Sequence, residues 1–122
     1  MSRSRASAKQ AGSSFERLIA DWFKGQGFPF ADRRVKRGNL DTGDIGGVHF
    51  GPHQLVFEAK DYGGKLELPS WIKEAKAEAS NAGALIGVVV AKRRGTKKPQ
   101  DQYVILTLED FTTLITVPTQ YP

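Results

Sequence analysis

The chain has 122 residues, a formal net charge of +5 and no cysteine. That length suits one domain with a real core and excludes two, and the missing cysteines exclude a disulfide framework or a zinc–cysteine site. No run of eighteen apolar residues is present to span a membrane, and Met1-Ser2-Arg3-Ser4-Arg5 has no apolar stretch after it to make a secretory signal. These features predict a protein of the cytoplasm, or of a host's cytoplasm if a virus encodes it.

Charge is placed unevenly. Twelve of the eighteen Lys and Arg residues fall in three clusters: Arg3/Arg5/Lys9, Arg33/Arg34/Lys36/Arg37 and Lys92/Arg93/Arg94/Lys97/Lys98. Clustered cations suit a polyphosphate, because each neutralised phosphate releases condensed counterions. A merely solvated surface is the competing reading, and the position of the clusters around a carboxylate motif favours nucleic acid.

Residues 1–12 lack an apolar period and predict a flexible basic arm, with residues 13–122 as a single domain. A helix is expected from Ser13, where Ser13 and Glu16 have capping-box spacing. Phe15, Leu18, Ile19 and Trp22 form its apolar stripe. Strands are expected near 29–37, 43–50 and 54–61, the last two joined by a tight turn at Gly51-Pro52. Pro69-Ser70 opens a second helix over 70–82. Ala84 to Ala91 is unbroken apolar sequence and predicts a strand buried on both faces. A basic loop at 92–101 leads to a strand near 102–107 and a short helix capped near Thr107. The order is α-β-β-β-α-β-β-α, an α/β fold.

The chemistry sits on the third strand. Side chains alternate along a strand, so Glu58 and Lys60 point to one face and Ala59 to the other. A carboxylate and an amine at the end of an apolar strand are costly to bury without a role. Asp44, fourteen residues before Glu58, lies on the preceding strand of a hairpin. With a strictly two-residue loop, Asp44 would oppose Ala59 and face the wrong side. Gly46-Gly47 offers a place for a bulge, so an irregularity between residues 45 and 53 is expected to bring Asp44 beside Glu58.

So arranged, Asp44 and Glu58 would be carboxylate ligands for Mg²⁺, with the Ala59 carbonyl as a third oxygen, and Mn²⁺ is expected to substitute. Lys60 would orient water or stabilise charge on a phosphate. Glu16 has two readings, helix cap or a further acid at the metal site. His49 and His53 flank the turn without partners at metal-ligand spacing and are read as structural or close to DNA. Glu74 and Glu78 are read as a solvated helix face with Lys73 and Lys76. Trp71 is read as core or as part of a dimer surface.

Gly12-x-x-Phe15-Glu16-Arg17, Gly43-Asp44-Ile45 and Phe57-Glu58-Ala59-Lys60 together resemble the PD-(D/E)XK nuclease superfamily, and most closely the small archaeal-type Holliday junction resolvases. The resemblance spans about residues 12–92 and departs at Gly43, where the family name expects proline. It implies a restriction-endonuclease-like core of α-β-β-β-α-β order with a mixed central sheet flanked by helices. It also implies Glu16, Asp44, Glu58 and Lys60 as catalytic residues. The activity implied is Mg²⁺-dependent nicking of branched DNA by a homodimer, since a four-way junction has two symmetry-related cleavage positions. The three basic clusters would grip backbone phosphates, which carry little sequence information. The rivals are another nicking or repair endonuclease of the same fold and a non-catalytic module that binds branched DNA.

Overall fold

A computed structural model describes residues 3–35 and 40–121. The chain runs α1 (Arg5–Gly25), β1 (Asp32–Arg33), β2 (Ile45–Phe50), β3 (His53–Lys60), α2 (Leu68–Ala82), β4 (Ile86–Ala91), β5 (Tyr103–Ile105) and α3 (Leu108–Thr116). The strands form one five-stranded sheet in sequence order, with β3 and β4 parallel and every other pair antiparallel. The parallel pair requires a crossover, and α2 supplies it.

The sheet is covered on both faces. On one, Phe15 and Ile19 of α1 pack with Leu55, Phe57, Val88 and Val90; on the other, Trp71 and Ala75 of α2 pack with Val89 and Ala91. All six residues of β4 are therefore buried, as expected for its unbroken apolar run. The period-two alternation sends Leu55, Phe57 and Ala59 toward α1. Glu58 and Lys60 consequently point toward α2, under its buried stripe.

Several expectations are corrected. Helix α1 begins at Arg5, not near Ser13, because Ser4 accepts the Ser7 N–H at 3.1 Å and the alanine-rich segment after it propagates a helix well. Residues 5–12, expected as a mobile arm, are thus helical, and Ser13 and Glu16 lie in mid-helix rather than at a cap. Among the described residues of the strand expected at 29–37, only Asp32–Arg33 is a strand, with Phe30 and Val35 exposed. Of its apolar residues, Ala31 is buried in the core while Phe30 and Val35 stay outside it. Trp71 is 3% exposed and stacks near Tyr62, so it belongs to the core and not to a dimer surface.

Helix α2 carries proline in its first turn and ends at Gly83 in the left-handed conformation. Helix α3 is capped by the Thr107 hydroxyl, which accepts the Asp110 N–H, and Asp110 reaches Lys76 of α2 at 3.1 Å. Among the described residues no helix is long and apolar enough to cross a membrane.

Candidate metal centre

The hairpin is irregular where the sequence calls for it. Phe50 pairs with His53, His49 with Gln54 and Val48 with Leu55, but the next pair is Ile45 with Phe57. Two residues, Gly46 and Gly47, therefore oppose Val56 alone, which is a β-bulge. Gly47 has φ +82°, and a Cβ there would lie 2.0 Å from the Phe30 carbonyl oxygen. Gly46 leaves room for the Arg34 guanidinium, which crosses directly over it.

Extending the shifted register by one pair sets Asp44 opposite Glu58. The Asp44 N–H donates to the Phe57 carbonyl at 2.9 Å, and its carboxylate Oδ2 accepts the Ala59 N–H, also at 2.9 Å. A strand residue sends its N–H and C=O toward the same edge, so the Ala59 carbonyl is directed to the Asp44 side as well. Gly43 has φ +96°, which proline, locked near −65°, cannot adopt. Proline at this position would not fit the backbone that leads into Asp44.

On the α2 side, Glu58 is 6% exposed and Glu78 only 2%. The Lys60 ammonium lies 3.1 Å from Glu58 Oε1 and also pairs with Glu74 Oε2. Ligand oxygens of Glu58, Glu74 and Glu78 all fall within 4.8 Å of one another. The reading of Glu74 and Glu78 as a solvated face is therefore wrong: Glu74 is exposed but bridged to Lys60, and Glu78 is buried inside the site. A signal was present, because Glu78 continues the stripe Trp71–Ala75–Ala79 at helical spacing, where an apolar residue is expected.

Glu16, on α1, lines a cleft with Asp44 and Lys60, with Arg33 Nε 3.7 Å from its carboxylate. Burial raises its pKa, the Arg33 charge pulls it back and the nearby Glu58 charge raises it again. Asp44 is pushed up to about 8 by burial and by the Glu58 charge, against the opposing Ala59 hydrogen bond. Glu78 is pushed up to about 11 by burial and by the adjacent Glu58 carboxylate. Burial alone would lower the Lys60 ammonium, but its bonds to Glu74 and Glu58 outweigh this and raise it. The site holds more carboxylates than its cations neutralise.

That imbalance has a measurable sign. Between roughly pH 4, where an ordinary aspartate loses its proton, and about 8 for Asp44 in the folded protein, the native state binds more protons than the unfolded chain. Stability must therefore fall as pH rises through that window. In EDTA, the Tm of the protein is expected to drop from pH 6 to pH 8.5, and the drop should shrink in Asp44→Asn. An equal drop in the two proteins would show that Asp44 is not the group responsible.

A cleft of about 780 Å³ opens over this end of the sheet, lined among others by Arg3, Glu16, Asp44, Ala59, Lys60 and Tyr62. Arg3 is tied at its rim to Asp61, at 2.9 Å to the carbonyl and 3.1 Å to the carboxylate. Arg5 and Lys9 are exposed on the first turns of α1, and Arg33 stands by the cleft through Glu16. Arg34 donates to the Thr42 carbonyl beside the bulge, while Lys36 and Arg37 lie outside the described residues. Lys92 turns inward to the carbonyls of Arg93 and Thr96, so it organises its loop instead of facing solvent. Arg93 lies over the Tyr103 ring at 5.7 Å, and Arg94, Lys97 and Lys98 are exposed. His53 contacts the Pro118 carbonyl at 2.6 Å, a structural role, and His49 is exposed on β2. Comparison with known proteins finds no matching family model, curated protein or solved structure.

Proposed function

We propose that this protein is a Mg²⁺-dependent, structure-selective DNA endonuclease with a restriction-endonuclease-like PD-(D/E)XK core, acting as a Holliday junction resolvase. The observation that carries the reading is the Gly46-Gly47 bulge, which sets Asp44 opposite Glu58 with Lys60 two residues further on. The same cleft collects Glu16 from α1 and leads out to basic side chains.

The residues suit a hard divalent cation. Asp44, Glu58 and the Ala59 carbonyl offer oxygen donors, and the buried Glu58 Oε2 has no hydrogen-bond partner among the described residues. When bound, Mg²⁺ or Mn²⁺ supplies a nucleophilic hydroxide at neutral pH and neutralises charge on the scissile phosphate. The Ala59 N–H holds the Asp44 carboxylate in its orientation. Glu58 anchors Lys60, which lines the cleft where a phosphate would enter and would offset charge developing on it. Glu16, held by Arg33, keeps a further acid at the site.

Arg3, Arg5, Lys9, Arg33, Arg34, Arg94, Lys97 and Lys98 would contact backbone phosphates, which agrees with recognition of shape rather than sequence. Two such sites in a homodimer would match the two cleavage positions of a junction. The setting that goes with this reading is the cytoplasm.

The test is cleavage of labelled four-way junction, nicked duplex and linear duplex with Mg²⁺. Paired symmetric nicks confined to the junction are expected. Equal cutting of linear duplex would replace the resolvase reading with a general nuclease. Junction binding that is indifferent to Mg²⁺, with no cutting, would replace it with a non-catalytic module.

A further inference from the structure

We propose that Glu58, Glu74 and Glu78 form a second divalent-cation site, on the α2 face of the sheet and distinct from the one at Asp44, Glu58 and Ala59. Glu58 bridges the two, but the assignment does not depend on DNA cleavage.

Three oxygens within 4.8 Å, one from each glutamate, converge from two rigid elements, β3 and α2. Two carboxylate atoms there, Glu58 Oε2 and Glu78 Oε1, are buried in residues more than nine-tenths inaccessible and have no hydrogen-bond partner among the described residues. Buried polar atoms are rarely left without one, since an unmet carboxylate oxygen is costly in a low-dielectric interior. Lys60 answers only the outer atoms, Glu58 Oε1 and Glu74 Oε2. With all three glutamates ionised, the single Lys60 ammonium leaves negative charge for a cation to offset.

The donors are all carboxylate oxygens, which select Mg²⁺, Mn²⁺ or Ca²⁺ over softer metals. Glu74 is exposed and gives the ion a route in, while Glu78 closes the inner side. An ion here takes over the charge balance that Lys60 now supplies, freeing its ammonium to turn to the cleft that the residue lines. The competing occupant is a single proton shared between Glu58 and Glu78.

The experiment counts Mn²⁺ bound to the full chain without DNA, by calorimetry and by electron paramagnetic resonance of free Mn²⁺. Two ions per wild-type chain are expected. Glu78→Gln, close in shape to a protonated glutamate, and Glu74→Gln, at an exposed position with little folding risk, should each weaken one of the two at least tenfold. Asp44→Asn should remove the other ion and keep the Glu78-dependent one. No ion in the wild type would overturn the proposal, as would a count that Glu78→Gln leaves unchanged. Loss of both ions from Glu78→Gln with unaltered circular dichroism would also overturn it, by showing one shared site. The nuclease reading stands or falls separately, on junction cleavage.

Discussion

Asp44→Asn is expected to abolish junction cleavage while leaving junction binding within about twofold of wild type. The asparagine side chain keeps an oxygen that can accept the Ala59 N–H, now at 2.9 Å, so the bulged hairpin has no reason to rearrange. What disappears is the negative charge that would hold the metal. Removing one group that stabilises a transition state typically costs about 10²–10³ in rate, and loss of a metal ligand should reach at least that. The substitution should also stabilise the metal-free protein near pH 8, because it removes a carboxylate whose ionisation burial and Glu58 oppose. The two readouts move in opposite directions, which a general unfolding effect cannot produce. Cleavage within tenfold of wild type would take Asp44 out of the site.

Gly47→Ala should be among the most damaging single changes in the chain. Its φ of +82° is strained for any side chain, and the new Cβ would meet the Phe30 carbonyl oxygen at 2.0 Å. Backbone strain of this kind costs about 1–3 kcal/mol, and the backbone contact adds to it because a carbonyl cannot swing aside as a side-chain tip can. A Tm loss of roughly 10 °C or more follows for a domain of this size. The bulge sets which face Asp44 presents, so residual folded protein should lose tight Mn²⁺ binding at that site as well. Thermal unfolding in EDTA and Mn²⁺ titration measure the two effects. A Tm within 3 °C of wild type would show that β2 accommodates the side chain by another register.

Much of the fold is written in local pattern. The apolar run to Ala91 can only be a strand covered on both faces, and Pro69 and Gly83 bracket α2 by backbone chemistry alone. The need for a bulge followed from period-two alternation, because without it Asp44 and Glu58 face apart. Other features were not legible. Helix α1 reaches back to Arg5 because Ser4 caps it and Arg3 is anchored to Asp61, fifty-eight positions away. A composition rich in Ser, Ala and Lys reads equally as helix or as arm until that anchor is known.

The sequence by itself determined the strand-borne pair Glu58 and Lys60, the glycines that allow a bulge, and the α/β order of the elements. These depend on alternation, turn chemistry and hydrophobic period, all of which act over a few residues. Only the tertiary structure decided that Glu74 and Glu78 belong with Glu58 and that Glu16 faces Arg33 instead of capping a helix. It also decided that Lys92 serves its own loop. These pairings arise where α1 and α2 settle on opposite faces of the sheet, and a charge on a helix does not announce which strand it will meet. A glutamate in an apolar stripe reads as an exception until the strand beneath it is found to carry another.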